Sequence, residues 1–266
     1  MFFSSVPREV NWGQLSSIMR LAPSHLRIDL TEKLPQNAMP PSAKTATSPS
    51  GMTLVFDLGA VLLHWQPAQL VGQMLRQHAP DQAAATALSA KIFEGLHPGS
   101  TWADFDRGLL EPEVLATILA GKTGVDAPAL LRFVRAIPDH LHTLADTALL
   151  LPRLQAQGHR LVYLSNMPRP YSQRLLQEKA FFDYFEDGLF SGRIGLVKPE
   201  HPIFELAEAQ FQLTPQRTVF IDDNADNVAT AISRGWTAIQ FIDAGQCERD
   251  LLTLGLLEAA STRHNH

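Results

Sequence analysis

The feature that most constrains this chain is an apolar stretch at residues 54–62, interrupted by one carboxylate, Asp57, with Gly59 two residues later. Its β-branched and aromatic residues favour a buried strand that ends at Asp57. A carboxylate at the carboxyl edge of a buried parallel strand can act as a nucleophile, a metal ligand or both. The same residues also fit a helix cap followed by a turn glycine, and this stretch alone favours that simpler interpretation.

Two downstream segments also place polar groups after apolar ones. Residues 161–164 form an apolar strand pattern followed by Ser165 and Asn166, whose hydroxyl, amide and backbone N–H groups can hold anionic oxygens. Further on, Pro199 disfavours helical geometry at Lys198 and is expected to start the next helix, which fixes where the lysine points. Read separately, these residues also fit a helix cap and an exposed loop lysine.

A third downstream segment, residues 218–227, is an apolar strand pattern followed directly by Asp222 and Asp223. Adjacent carboxylates repel each other unless a cation or a helix N-terminus compensates their charge. An ordinary acidic helix N-terminus is the alternative, but Asp226 brings a third carboxylate within five positions and weakens it.

Taken in order, the four segments resemble the haloacid-dehalogenase-like (HAD) hydrolase superfamily over roughly residues 53–243. The Phe-Asp-Leu-Gly start and the Asp-Asp-Asn-Ala-Asp-Asn run are most similar to its small phosphatases, a group that includes glucose-1-phosphate phosphatase. The resemblance implies that Asp57 attacks phosphorus to form a transient aspartyl phosphate. It also implies that Ser165 and the Asn166 backbone hold the phosphoryl oxygens while Lys198 neutralises the phosphoryl group and Asp57.

The resemblance further implies a Mg²⁺ ion as cofactor. The implied metal ligands are Asp57, the Gly59 carbonyl oxygen, Asp223 and, through a water molecule, Asp222. Oxygen ligands of this kind suit Mg²⁺ rather than zinc. A carboxylate can attack an anionic phosphoryl group only when cations screen both charges, so the implied metal and lysine make physical sense together.

The sequence departs from most phosphatases of this superfamily at Gly59, where they carry a second aspartate that protonates the leaving group. General acid–base help is typically worth about 10²–10⁴-fold in rate. The protein is therefore a slower phosphatase, uses another acid, or is not a phosphatase, although the resembling subgroup also carries glycine at this position. Candidate substitute acids are the histidines His64, His97 and His201.

The remaining pattern predicts an α/β fold, a Rossmann-like parallel sheet flanked by helices with a small α-helical cap inserted after the first strand. Residues 52–65 and 145–266 are expected to form the core domain and residues 66–144 the cap. Within the cap, Trp102, Phe105 and Arg107 are candidates for substrate contact, or else core aromatics and a surface arginine. Residues 1–51 are rich in Pro, Ser and Thr towards their end and are expected to be a disordered extension, or to precede a translation start at Met52.

Composition limits the other function classes. The formal net charge is −5 with no basic, aromatic-interleaved stripe, which argues against nucleic acid as a partner. The single cysteine excludes an internal disulfide and a cysteine metal cluster. No apolar stretch reaches the ~20 residues of a membrane span, so a cytoplasmic enzyme with no membrane partner is expected. The oligomeric state stays open.

The expected function is Mg²⁺-dependent hydrolysis of a small phosphomonoester, with a sugar phosphate as one candidate substrate. One alternative is a 2-haloacid dehalogenase, in which the aspartate attacks carbon without a metal and Asp222 and Asp223 have no explanation. The other is a non-catalytic phosphate-binding regulatory protein. The presence of Asp57, Lys198 and both adjacent carboxylates argues against this second alternative, because a protein that only binds phosphate gains little from a nucleophile.

Overall fold

A computed structural model describes residues 51–94, 97 and 99–258. The predicted N-terminal extension lies outside the described residues apart from Gly51. The described chain contains a five-stranded sheet in which every strand pairing is parallel. The strands are β1 (Thr53–Phe56), β2 (Arg160–Ser165), β3 (Asp187–Phe190), β4 (Thr218–Asp222) and β5 (Thr237–Gln240).

Helices connect the strands. Seven of them lie between β1 and β2, of which the first five are α1 (Pro67–Met74), α2 (Gln82–Phe93), α3 (Thr101–Asp106), α4 (Pro112–Thr123) and α5 (Ala127–His140). The others are α6 (Ala145–Ala148), α7 (Leu150–Ala156), α8 (Arg169–Glu178), α9 (Ser191–Ile194), α10 (His201–Phe211), α11 (Ala225–Ser233) and α12 (Ala244–Thr253), with 3-10 turns at Ala180–Tyr184 and Pro215–Arg217. Every described helix is too short or too polar to cross a membrane.

The strand order is β3-β2-β1-β4-β5, which confirms the predicted α/β fold with a Rossmann-like parallel sheet. The chain runs outward from β1 through β2 to β3, then returns to the other side of β1 to form β4 and β5. The order therefore reverses between β1 and β4, and a crevice opens beyond the carboxyl ends of these two strands. In open α/β sheets this reversal point is the usual ligand site.

Both faces of the sheet are buried, which is why its strands are apolar throughout. Because side chains alternate along a strand, Val55 faces one apolar cluster while Leu54 and Phe56 face another. The Val55 cluster is completed by side chains of α10 and α11. The opposite cluster is larger and continues without a break into the apolar sides of α1 to α5. The helices that precede β2 therefore share one core with the sheet.

The three strands predicted from the apolar segments are confirmed as β1, β2 and β4. Pro152 lies in the first turn of α7, directly after α6 ends, where a helix tolerates proline. The expectation that Pro199 starts the next helix is wrong. Glu200 keeps an extended backbone, and α10 begins at His201 with Pro202 in its first turn. Cys247 is fully buried.

We expect Gly188→Ala in β3 to destabilise the protein by about 1–3 kcal/mol, because overpacked cores lose energy of that order. A Cβ atom built at Gly188 lies 2.0 Å from the buried ring of Tyr163. Gly121→Ala is the control, since a Cβ there meets nothing within 4 Å and alanine favours the α4 helix by up to about 1 kcal/mol. Urea unfolding of both variants measures the difference, and equal midpoints would contradict the packing described for β3.

Candidate active site

The candidate site lies at the crevice between the carboxyl ends of β1 and β4. Phe56 pairs with Ile221 in the sheet, and the Asp57 backbone N–H donates to the Ile221 carbonyl at 2.9 Å. This register places Asp57 level with the end of β4, where Asp222 and Asp223 follow. The predicted convergence of the first and last sequence segments on one edge of the sheet is a direct consequence of parallel pairing.

Lys198 is the positive centre of the site. Its Nζ lies 2.9 Å from Asp57 Oδ1 and 2.6 Å from Asp222 Oδ2, and its side chain is 1 % exposed. The ammonium also lies 5.5 Å from the centroid of the Phe220 ring. The two carboxylates outweigh the cost of burying the ammonium and raise the pKa of Lys198, which therefore stays charged.

The backbone of Lys198 is fixed by the side chain of Asn166. Asn166 Oδ1 accepts from the Lys198 N–H at 2.8 Å, and Asn166 Nδ2 donates to the Lys198 carbonyl at 3.0 Å. Pro199, which follows, has its carbonyl hydrogen-bonded by the Thr230 hydroxyl at 3.0 Å. The side-chain amide of Asn166 therefore positions Lys198. The backbone of Asn166 is left for the predicted contact with phosphoryl oxygens.

Asp222 is fully buried, and both of its oxygens already have partners. Oδ1 accepts from the Asn224 backbone N–H at 2.8 Å, Oδ2 accepts from Lys198, and Asn227 Nδ2 lies 3.0 Å from each oxygen. These bonds use most of the acceptor capacity of the carboxylate. Asp222 thus ties Lys198 to the start of α11, and its water-mediated contact with a metal stays a prediction.

Three carboxylates share this corner of the molecule with the one ammonium of Lys198. One oxygen from each of Asp57, Asp222 and Asp223 lies within 4.8 Å of the others. Asp57 Oδ1 is buried without a hydrogen-bond partner, since its close contact with Lys198 lacks hydrogen-bond geometry. Burial, together with the charges of Asp222 and Asp223, raises the pKa of Asp57 to about 7. Burial and the charge of Asp222 also raise the pKa of Asp223.

This excess of negative charge fits a divalent cation that prefers oxygen ligands. Asp57 and Asp223 are placed to hold it, because both line the cavity above the sheet edge. Gly59 lines the same cavity, and a Cβ built on it meets no atom within 4 Å. The Gly59 carbonyl oxygen as a metal ligand stays a prediction.

The cavity has a polar floor and an apolar wall. The floor contains Asp57, Asn166, Lys198 and Asp223, together with Asn224, Asp226 and Asn227 at the start of α11. The wall is supplied by aromatic and aliphatic side chains: Trp65, Trp102, Ile137, Leu141, Met167 and Tyr171. Ser165 ends β2 at 1 % exposure and is not among the lining residues, so its predicted contact with a phosphoryl group stays a prediction.

The three candidate histidines lie in different places. His97 lines the cavity and is exposed. His64 lies in a separate depression with His140 and His142. His201 begins α10 at the surface. Only His97 of these three is therefore positioned to reach a substrate in the cavity.

The structure also places the three predicted cap contacts. Trp102 lines the cavity and is buried, as expected of a residue that serves both the core and the site. Phe105 is fully buried against Trp102 and Tyr171 and belongs to the core. Arg107 forms ion pairs with Asp104 and Glu200. Arg107 is not among the residues that line the cavity.

Sequence reasoning missed Asp106, a carboxylate on α3 that lines the cavity and is 6 % exposed. Burial and the charge of Asp57 raise the pKa of Asp106 to about 8. A signal was available in the sequence, because Asp106 lies four residues after Trp102 and so extends the apolar stripe of the helix. A carboxylate on the buried face of an amphipathic helix indicates a special environment.

Comparisons with known proteins agree with this picture. A family described as haloacid dehalogenase-like hydrolase matches residues 52–235. A sesquiterpene phosphatase of Aspergillus oryzae is 26 % identical over 191 residues, which are 71 % of this chain and 89 % of that protein.

Two solved structures share the fold. A predicted HAD-like hydrolase from Porphyromonas gingivalis has a TM-score of 0.59 and 26 % identity, covering 79 % of this chain and 99 % of that one. A HAD family enzyme from Bacteroides thetaiotaomicron, solved with magnesium and inorganic phosphate, has a TM-score of 0.56 and 21 % identity, covering 73 % and 96 % of the two chains.

The fold and the site together define an enzyme with a Rossmann-like α/β fold and a carboxylate-rich active site. More particularly, this chain belongs to the haloacid dehalogenase-like hydrolase family, since the family match covers most of its length. The resemblance predicted from the four sequence segments is thereby confirmed at the level of the family.

Lys198→Met should destabilise the metal-free protein by about 3–5 kcal/mol at pH 8, because it leaves buried carboxylates without their cation. This loss of stability should be smaller at pH 5.5 than at pH 8. Removing the lysine raises the pKa of Asp57 further, because the nearby positive charge is lost. As the pH falls, native Asp57 therefore takes up a proton before the unfolded chain does, and this uptake stabilises the native state of the variant. Urea unfolding at pH 8 and pH 5.5 in EDTA measures both effects.

Lys122→Met is the matched control, because Lys122 pairs with Glu94 at the surface, where ion pairs contribute about 0–1 kcal/mol. Equal losses for the two lysine variants at pH 8 would contradict the buried role of Lys198. A Lys198→Met loss that grows towards low pH would contradict the assignment of repelling carboxylates.

Proposed function

We propose that this protein is a Mg²⁺-dependent phosphomonoesterase that works through an aspartyl phosphate on Asp57. The observation that carries the proposal is the grouping of Asp57, Lys198 and Asp223 around one cavity at the reversal point of the sheet. Phosphoryl transfer depends mainly on positioning and on compensating charge, and this grouping supplies both. The named activity of the Aspergillus oryzae relative adds support.

In the proposed mechanism, Asp57 is the nucleophile and Lys198 screens its charge. The ammonium at 2.9 Å favours the ionised form of Asp57, which is the form that attacks phosphorus. Asp222 and Asn166 hold the lysine in place through its side chain and its backbone. The backbone N–H groups around Asn166 and the Ser165 hydroxyl are proposed to bind the phosphoryl oxygens.

Mg²⁺ is proposed to be held by Asp57, Asp223 and the Gly59 carbonyl oxygen. When bound, the metal supplies the positive charge that lets one anion approach another. The crowding and mutual repulsion of the three carboxylates support this ligand set. Asp222 retains the predicted water-mediated role, with Lys198 as its direct partner.

Residues 66–144, which contain α1 to α5, are proposed to serve as the helical cap of the site. The support is that α3 and α5 contribute Trp102 and Ile137 to a cavity that residues of the loops after β2 and β4 also line. A wall of this kind limits water around the reacting group and contacts the part of the substrate that is not phosphate.

Phosphate release from a panel of phosphate esters should require Mg²⁺ and should stop in EDTA. Asp57→Asn should reduce release to background, because an amide does not attack phosphorus. Asp146→Asn, an exposed aspartate at the start of α6, is the control and should retain wild-type activity. A malachite green assay on the three proteins checks this.

Three outcomes would contradict the proposal. Phosphate release that persists in Asp57→Asn would show that Asp57 is not the nucleophile. Chloride release from 2-haloacids in EDTA would favour the dehalogenase alternative, in which Asp57 attacks carbon without a metal. Phosphate binding without hydrolysis of any ester would favour a non-catalytic binding protein.

The side chains of the cavity wall indicate which class of phosphate ester fits the cavity. A sugar phosphate, like membership of the glucose-1-phosphate phosphatase group, stays a prediction from sequence. The wall instead favours an ester with an apolar or aromatic body, because its aromatic and aliphatic side chains offer few partners for sugar hydroxyls. The named substrate class of the Aspergillus oryzae relative points in the same direction.

We therefore expect kcat/KM for geranyl phosphate to exceed that for glucose 1-phosphate by at least about tenfold. Burying a few methylene groups is worth more than about 1–3 kcal/mol in an apolar pocket, which supplies this factor. Initial rates with both substrates at matched Mg²⁺ measure the ratio. A ratio in favour of the sugar phosphate would contradict the role given to the apolar wall while leaving the phosphatase proposal intact.

A further inference from the structure

We propose that Asp106 is the general acid and base of this site, in place of the aspartate that Gly59 lacks. The inference rests on the proposed phosphatase function. Its carboxyl lies on α3 and lines the same cavity as Asp57, so it approaches the reacting group from the helical side rather than from the β1 loop.

The placement of Asp106 is unusual for a carboxylate. Its residue is 6 % exposed, and its side-chain oxygens have no hydrogen bond or ion pair among the described residues. Its backbone carbonyl, by contrast, is fixed by the Ser191 hydroxyl at 2.6 Å, which anchors the end of α3 to the start of α9. An unpaired buried carboxyl on a fixed backbone has no evident structural purpose, because burying it costs stability.

The space beside Gly59 supports the same inference. A Cβ built at Gly59 meets no atom within 4 Å, so the side chain that glycine lacks is not replaced there by a neighbouring atom. Asp106 and Gly59 line the same cavity. A proton donor from α3 can therefore reach the leaving oxygen without displacing any side chain from the β1 loop.

The protonation state of Asp106 suits a general acid that protonates the leaving oxygen. The groups that face Asp106 electrostatically are Asp57, Lys198, Arg107 and Tyr171. Burial, with Asp57 adding to it, raises the pKa of Asp106 to about 8, so its carboxyl carries a proton at neutral pH. This value agrees with the geometric argument but is not needed for it.

The chemistry balances over two steps. In the first, an Asp57 oxygen bonds to phosphorus, the phosphorus–ester oxygen bond breaks, and the leaving oxygen takes the Asp106 proton to give the alcohol. In the second, water attacks phosphorus and gives a proton to the Asp106 carboxylate, while the bond to Asp57 breaks. Inorganic phosphate leaves, and both aspartates return to their starting states.

The test compares two single-ring substrates that differ in leaving group, benzyl phosphate and p-nitrophenyl phosphate. Benzyl alcohol leaves poorly without a proton, whereas p-nitrophenolate leaves unprotonated. Asp106→Asn should lower kcat/KM for benzyl phosphate by about 10²–10⁴-fold and leave kcat/KM for p-nitrophenyl phosphate nearly unchanged. This parameter reports only the steps up to phosphoenzyme formation, so slow hydrolysis of the intermediate does not enter it.

Asp104→Asn is the matched control, because it removes a carboxylate from the same helix on its solvent side, where it pairs with Arg107. It should change neither substrate's kcat/KM. His97→Gln tests the competing donor from the same cavity and should leave the ratio of the two substrates at the wild-type value. Should Asp106→Asn fail to fold, Asp106→Glu replaces it, since a displaced carboxyl should weaken benzyl phosphate turnover selectively.

Equal losses on both substrates, or no loss on either, would overturn the role of Asp106. A selective loss in His97→Gln with none in Asp106→Asn would transfer the role to the histidine. These results are distinct from failure of the phosphatase proposal, in which the wild-type protein would release phosphate from neither ester with Mg²⁺.

Discussion

The buried ion pairs of Lys198 are the interaction on which the site depends. One ammonium joins Asp57 at the end of β1 to Asp222 at the end of β4, across the point where the sheet order reverses. Buried ion pairs rarely add stability over an apolar core, because desolvation costs as much as the attraction returns. Under the proposed function their role is chemical, since the lysine favours the ionised form of the carboxylate that the anionic phosphoryl group approaches.

Charge balance explains the rest of the arrangement. The carboxylates of Asp57, Asp222 and Asp223 outnumber the ammonium, and their crowding and burial raise the pKa of Asp57 and Asp223. Such a site is poised to accept positive charge, from a proton or from a divalent cation. Protons and metal therefore compete for the same oxygens, and metal binding should release protons near neutral pH. A fourth carboxyl, Asp106, lines the same cavity from a separate helix.

What the sequence can predict depends on how far apart along the chain the interacting residues lie. Strand ends and the carboxylates on them are local, because apolar β-branched runs define where Asp57 and Asp222 must lie. Parallel pairing then brings them together without further information. The cavity-facing role of Asp106 is different, since it depends on how α3 packs over the sheet, and residues almost fifty positions apart meet only in the folded chain.

The same reasoning explains two smaller differences. The Asn166 amide fits a helix cap from its sequence context, yet it clamps the backbone of Lys198, which lies 32 residues away. Helix α12 has no counterpart among the predicted elements, because its buried positions reduce to Cys247 and Leu251 within an otherwise polar segment. Weak local periodicity hides such a helix until the face it covers is known.

The central claim is that Asp57 becomes phosphorylated during turnover. Acid quenching of the protein with Mg²⁺ and a hydrolysed ester, followed by peptide mass spectrometry, tests it directly. The account predicts a phosphoryl group on the peptide that contains Asp57, localised to that residue and lost in Asp57→Asn. A phosphoryl group on any other residue, or its persistence in Asp57→Asn, would contradict the account.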